Sequence, residues 1–308
     1  MTRWTETAKP LLRFAPDPDG PGRVLAAMGR LERASWLDGT VKLLREGVRA
    51  VPLGGARDLL HGRWLGHPVH PLLVQLPLGA WMSSAVLDWT PGGRRAAGVL
   101  VAVGVAGAAP AAAAGLVDWA ELEDEQARVG LAHAALNVVA TACYTVSLGS
   151  RLIGRRGRGS AFAGLAAAAV SGALGGHLAY RQAAGPNHAE AVPRLVPPGW
   201  HDVGALADLP TGRPVRRMAG DVAVLVLRGA DGSLSALADH CSHLAGSLSE
   251  GEIADGCVVC PLHGSTFRLA DGWNIAGPAT APQPVFDTHV DAGRVRVCLR
   301  TTDPAPQS

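Results

Sequence analysis

Cys241-Ser242-His243 and, after sixteen intervening residues, Cys260-Pro261-Leu262-His263 decide how the last third of this chain is read. Each segment offers one thiolate and one imidazole, so together they supply two sulfur and two nitrogen donors. Two centres use that set. Tetrahedral zinc is one, and Cys257-Val258-Val259-Cys260 has a finger-like spacing that suits it. A two-iron, two-sulfide cluster is the other, with both Cys on one iron, both His on the second, and the two segments clamping it from opposite sides. Zinc through Cys257 would ignore the pairing of the two Cys-His segments. It would also leave Gly264-Ser265 and the Pro-rich run from Gly277-Pro278-Ala279 to Pro284 without a role.

Short stretches of strand texture surround these segments, such as Val222 to Leu227 and Val295 to Leu299. Turns at Ala230-Asp231-Gly232 and Asp291-Ala292-Gly293 separate them. A small all-β domain is expected over 200–302, followed by a tail at 303–308. The Pro, Asn, His and Glu of 184–199, ending Pro197-Pro198-Gly199, read as a linker.

Upstream the texture changes. Hydrophobic residues make up 48% of the chain but aromatics only 5%, so the apolar content is mostly Ala, Val and Leu. It concentrates in four segments, Leu72 to Leu87, Ala96 to Val117, Leu131 to Ser150 and Ala161 to Tyr180, none containing Asp, Glu, Lys or Arg. A soluble helix keeps a polar face, and these do not. The last three have the length that a crossing needs and the first is near the lower limit, so a bundle of four transmembrane helices over 64–183 is expected. Gly104, Gly107, Gly172, Gly175 and Gly176 would let its helices approach closely. In the N-terminal segment, 1–63, residues Leu37, Val41, Leu44, Val48 and Val51 form one apolar stripe flanked by Lys42, Arg45 and Arg49. That basic amphipathic helix suits either an anionic membrane surface or the protein's own bundle.

A net charge of +2 gives no reason to expect nucleic acid, and five cysteines are too few and scattered for a disulfide framework. The N-terminus lacks the apolar core of a cleaved secretory signal. The arginines after the first and third helices (Arg94, Arg95, Arg151, Arg155, Arg156, Arg158) and the acidic run Glu121, Glu123, Asp124, Glu125 together place both termini outside by the positive-inside rule. Export of a long polar N-terminal segment that carries its own Arg57 and Arg63 argues the other way. On balance a multi-pass protein of the cell membrane with its β domain in the cytoplasm is expected.

Cys-x-His followed by Cys-Pro-x-His-Gly, with the Pro-rich run, closely resembles the Rieske family from Trp200 to Arg300. The resemblance implies a 2Fe-2S cluster on Cys241, His243, Cys260 and His263. High-potential members carry a disulfide between the two ligand loops, and here those places are Gly246 and Leu262. Ser265 matches a serine that donates to a cluster sulfur in that type, whereas the tyrosine expected two residues later is Phe267. Loss of a donor to the cluster lowers its potential, so a value in the low to middle Rieske range is expected. Ring-hydroxylating oxygenases add a mononuclear iron site of two His and a carboxylate, for which this chain has no matching triad.

Gly66-His67-Pro68-Val69-His70-Pro71-Leu72-Leu73-Val74, Pro77-Leu78-Gly79, Val117-Asp118-Trp119, His133 through Asn137, and Gly175 through Arg181 are similar to a bacterial family of four-helix membrane proteins of unknown function. That resemblance implies an architecture and no activity. The whole reads as a membrane-anchored carrier of single electrons between redox partner proteins, without a substrate-turnover site of its own. Two alternatives stand beside it: a haem- or quinone-linked oxidoreductase subunit, and an iron-sulfur redox sensor. The first rests on His70, His133 and His177, which four successive crossings bring to one face, where two imidazoles would suit haem b. The same histidines would equally serve to pin the bundle ends by hydrogen bonds to one another, Asn137 and Asp118.

Overall fold

The computed structural model describes residues 22–300. The start of the N-terminal segment and the tail at 303–308 lie outside the described residues. The chain divides into two units, one of 1–52 with 71–184 and the other of 53–70 with 185–308.

The first unit is helical: α1 (Gly22–Glu32), α2 (Asp38–Ala50), α4 (Gln75–Leu87), α5 (Arg94–Trp119), α6 (Asp124–Leu152) and α7 (Arg158–Gly176), which ends in a π-helical turn His177–Arg181. The helix α3 (Gly55–His61) belongs to the second unit. Among the described residues three helices, not four, are long and apolar enough to cross a membrane: Arg94–Trp119, Asp124–Leu152 and Arg158–Arg181. The segment expected as the first crossing is instead a helical turn, His70–Leu73, then a break at Val74 and the 13-residue α4. Pro77 explains the break. It has no N–H to return to the carbonyl four residues back, so the ladder restarts around it. At 1.5 Å per residue α4 reaches only about 20 Å.

Inside this unit Trp81 of α4 stacks on Tyr144 of α6 with ring centroids 4.2 Å apart. Two glycines make room for the pair. A methyl group on Gly104 would stand 2.2 Å from Trp81 Nε1, and one on Gly164 would stand 2.8 Å from Tyr144 Cδ2. Gly107 is similarly close to Leu76, whereas Gly172 and Gly176 face open space. Asp88, 1% exposed, accepts two hydrogen bonds from Arg151 at 2.9 and 2.5 Å, so this buried carboxylate is paired as burial of charge requires. Helix α2 lies on the bundle: Val41 is buried against Trp119 and Ala127, Arg45 pairs with Asp124 at 3.0 Å, and Arg49 with Glu121 at 2.8 Å. The acidic run is thus partly neutralised by the basic flank of the amphipathic helix.

Among the described residues the second unit holds two antiparallel sheets. The larger runs in the order β1-β10-β9-β4-β3-β2, from β1 (His201–Ala205), β2 (Val215–Ala219), β3 (Val222–Arg228), β4 (Leu234–Ala238), β9 (Val285–Asp291) and β10 (Arg294–Leu299). The smaller runs β5-β6-β7-β8, from β5 (Glu252–Ala254), β6 (Cys257–Val259), β7 (Thr266–Arg268) and β8 (Asn274–Ala276). Strand β3 shows why its sequence has no polar alternation. Val222, Val224 and Val226 enter one core with Val295, Val297 and Phe286, while Leu225 and Leu227 enter another with Leu248, Val258 and Phe267. With a side-chain period of two, a strand between two apolar layers must be apolar throughout. Ala189, Val192 and Val196, from the Pro-rich stretch before β1, are buried in the first of these cores.

Candidate metal centre

The two Cys-His segments close on the same hydrogen-bond pattern. In the first, which leaves β4, the Cys241 amide donates to Gly246 O at 2.8 Å and the Ala245 amide to Cys241 O at 2.9 Å. In the second, which joins β6 to β7, the Cys260 amide donates to Ser265 O at 2.8 Å and the Gly264 amide to Cys260 O at 3.0 Å. The pairs His240 with Ser247 and Val259 with Thr266 shut the two loops at equivalent positions. Each cysteine sulfur accepts backbone amides from the residues two and three further on, His243 and Leu244 for Cys241, Leu262 and His263 for Cys260. Amides converging on sulfur favour the thiolate.

The four donors meet as two pairs. The Cys241 and Cys260 side chains hydrogen-bond each other, and the His243 and His263 rings stand edge to face with centroids 5.1 Å apart. The Cys241 thiol and the two loop amides hold Cys260 down at about 6, whereas the neighbouring Cys260 sulfur and burial push the Cys241 thiol up. Burial pushes the His243 imidazole down to about 3, with His263, His61 and His188 adding to the shift. His243 Nδ1 is buried with no hydrogen-bond partner. A buried ring nitrogen without a partner is costly unless it binds something, so this atom fits a metal ligand. Among the described residues no three His, Cys, Asp or Glu side chains converge as a site for one ion. Two donors per metal is the arrangement a two-iron cluster uses.

Other side chains hold the loops, and sequence reasoning missed most of them. The Pro-rich run is a strap across both. The Ala279 amide donates to Ser265 Oγ at 3.1 Å, Ser242 Oγ donates to Ala281 O at 2.8 Å, and the Ser242 amide donates to Gln283 Oε1 at 3.1 Å. Gln283, 2% exposed, donates its own amide protons to Ala238 O and His240 O. Gly277, at φ 85°, lets the strap lie against the second loop: a methyl group there would be 2.7 Å from Ser265 Cα. Buried Asp239 accepts from the Ser249 amide at 2.7 Å and Ser247 Oγ at 2.8 Å, which fixes the exit of the first loop. A polar residue at the end of a Pro-rich run was the only available signal for Gln283, and Asp239 had none.

Gly246 and Leu262 are neighbours, since a methyl group on Gly246 would stand 2.8 Å from Leu262 Cδ1 and 3.1 Å from Cys260 Sγ. Ser265 and Phe267 are fully buried, Phe267 in the same core as Cys241 and Cys260. Cys257 is buried on β6, with its thiol donating to Asp255 O at 3.6 Å. Of the histidines considered for haem, His133 has both ring nitrogens engaged. Asn137 donates to Nε2 at 3.1 Å, which puts the proton on Nδ1 and directs it to Ser171 O at 2.8 Å. His177 Nε2 meets Glu32 Oε1 at 2.6 Å. Ser171 and Glu32 are partners the sequence did not suggest. His70 falls in the other unit.

Residues 199–287 match the Rieske [2Fe-2S] domain. The anthranilate 1,2-dioxygenase ferredoxin subunit of Burkholderia cepacia is 38% identical over 98 residues, which are 90% of that protein and 32% of this chain. The chain belongs to the Rieske [2Fe-2S] family. A Rieske domain implies a 2Fe-2S cluster, and the paired donors and orphaned His243 nitrogen fit it. The 3-phenylpropionate/cinnamic acid dioxygenase ferredoxin subunit of Escherichia coli K12 is 36% identical over 100 residues, 92% of its length and 32% of this chain. Among solved structures, the ferredoxin of carbazole 1,9a-dioxygenase from Nocardioides aromaticivorans IC177 is 28% identical, with a TM-score of 0.31 over 33% of this chain and 98% of that one. Upstream of the Rieske domain, residues 66–187 match a predicted membrane protein family (DUF2231).

Proposed function

We propose that this chain is a membrane-anchored Rieske ferredoxin that passes single electrons between protein partners. The observation that carries the reading is the matched pair of loops, which presents two thiolates and two imidazoles in one hydrogen-bonded framework, in a chain whose residues 66–187 match the predicted membrane family. In this reading Cys241 and Cys260 hold one iron and His243 and His263 the other. When bound, the cluster supplies a one-electron couple. The chain's own part is to aim the amides of His243, Leu244, Leu262 and His263 at the two sulfurs, where they favour the thiolates that would bind iron, and to exclude water from the sulfur side by packing Leu248, Val258 and Phe267 there. Ser265 Oγ accepts the Ala279 amide, so its proton remains available to donate to the cluster.

The relatives are ferredoxin subunits of dioxygenases. By analogy the acceptor is a protein redox centre, and the donor a reductase. Anchoring uses the three long apolar helices, with α4 as a shorter fourth crossing. Four crossings keep both termini on one side, and the cytoplasmic side suits loops that have Gly246 and Leu262 where a disulfide would otherwise sit. The hydrogen bonds of His133 and His177 support a structural role for the histidines and not a haem.

Electron paramagnetic resonance on dithionite-reduced, detergent-purified protein tests the reading. The expected spectrum has the low average g value of a cluster with two histidine ligands. A zinc-loaded protein without that signal would overturn it. A reporter fused at Ser308 reads the side of the membrane.

A further inference from the structure

The segment Leu53–His70 precedes the long apolar helices in sequence, yet it packs with the Rieske domain. Its α3 ends at Gly62, whose left-handed φ of 80° turns the chain back so tightly that a methyl group there would meet His67 O at 2.1 Å. His61 is 2% exposed and lies near enough to His243 to act on it electrostatically. Arg63 donates to Ile275 O on β8, next to the strap, and pairs with Asp58 of α3 at 3.2 Å. One side chain therefore ties the segment both to itself and to the sheet that carries the second loop. Val69 is 6% exposed.

The stretch that follows the apolar helices reaches the same place. The His188 amide donates to Ser242 O, inside the first ligand loop, at 3.0 Å, and His188 too acts on His243. The two stretches also meet, with Pro68 Cγ 3.8 Å from where a methyl group on Gly185 would lie. An imidazole edge is the natural exit for an electron from a cluster buried on its sulfur side, and here that edge has the chain's own residues beside it.

We infer that Leu53–His70, latched by Arg63 and joined by the His188 stretch, is a built-in cover on the His243 side of the Rieske site that restricts which redox partner reaches it. The inference rests on the proposed ligand set. With the cover seated, a small reductant reaches the site and a protein acceptor does not. Release of the Arg63 latch admits the protein.

The test uses the full chain in detergent with its cluster in place. Arg63→Ala removes both latch contacts, Asp58→Asn weakens the latch while keeping Arg63, and Arg63→Lys retains the charge. After reduction with dithionite, each is mixed with ferricytochrome c, which takes one electron from the cluster onto its haem iron. Oxidation by cytochrome c is expected to be about tenfold faster in Arg63→Ala and severalfold faster in Asp58→Asn, with Arg63→Lys near wild type. The dithionite reduction rate should stay within about twofold and the g values should not move. Hydrogen exchange at the His188 amide should rise about tenfold in Arg63→Ala. Equal cytochrome rates in wild type and both loosened variants, with unchanged exchange, would overturn the cover. If Arg63→Ala fails to fold, Asp58→Asn decides alone. Absence of a Rieske signal in wild type would sink the ligand assignment instead, and so is distinct from failure of the cover.

Discussion

Ala245 and Gly264 occupy the same position in the two ligand loops, each donating its amide to the carbonyl of the cysteine four residues earlier and each with a positive φ, 56° and 71°. The left-handed conformation suits glycine and costs an L side chain about 1–2 kcal/mol. Ala245→Gly should therefore stabilise the Rieske domain, by about 0.5–1 kcal/mol once the greater freedom of glycine in the unfolded chain is subtracted. Thermal unfolding followed at the cluster absorbance is the measurement, and a lower midpoint would show that the loop needs the methyl group.

Ligand substitutions separate the two metals first considered. His243→Ala and His263→Ala are each expected to abolish the low-average-g resonance signal. Cys257→Ser should leave it intact, because that thiol, on β6, donates to Asp255 O in the turn before it. Loss of the cluster in Cys257→Ser would restore a finger-like ligand set.

Ser265 and Phe267 should set the midpoint potential in opposite directions. Ser265→Ala deletes a donor and is expected to lower it, by about 60 mV if the donor favours the reduced state by about 1.4 kcal/mol. Phe267→Tyr adds a hydroxyl to a fully buried ring in the cysteine core and should raise it. A potentiometric titration that finds neither shift would mean these side chains point away from the cluster.

Gln283 is the most exacting of the supporting residues. Gln283→Leu keeps the volume but leaves Ala238 O, His240 O and the Ser242 amide short of partners. Buried unsatisfied groups cost about 1–3 kcal/mol each. The expected result is a loss of a few kcal/mol of stability with faster release of iron to a chelator, read by bleaching of the visible spectrum.

Acid should loosen the join between the first and last strands. Hydrogen bonds from Arg294 and from the Gly204 amide hold the Asp202 carboxyl at about 2, against an ordinary 3.8. Because the folded value is depressed, the contribution is complete above about pH 4 and is lost as pH falls toward 2. The pair is exposed, so the effect is small. Asp202→Asn should flatten that part of the acid-stability profile, which circular dichroism across the window would reveal.

The ligand loops were legible because metal chemistry fixes residue type and spacing together. Cys241, His243, Cys260 and His263 could be proposed as a ligand set with no knowledge of the fold. Strand β3 was legible too, as an unbroken apolar run. What was not legible depends on contacts distant in sequence. Nothing in the composition of Leu53–His70 distinguishes a segment that packs on a β domain from one that leads into membrane helices, since Arg63 finds its partner carbonyl at Ile275 only after folding. Apolar content also overstated α4, because hydropathy counts Pro77 as a neighbour of leucines while the backbone counts it as a missing donor.

The strap carries a lesson about synthesis. Gln283 and Ala279 emerge from the ribosome after both ligand loops, and β9 and β10 later still. Until then Ser242 and Ser265 lack the partners that hold their loops in register. A nascent chain can thus expose all four proposed ligands before the framework that fixes them exists. A chain cut before residue 283 should therefore hold the proposed cluster less firmly than one that carries the strap.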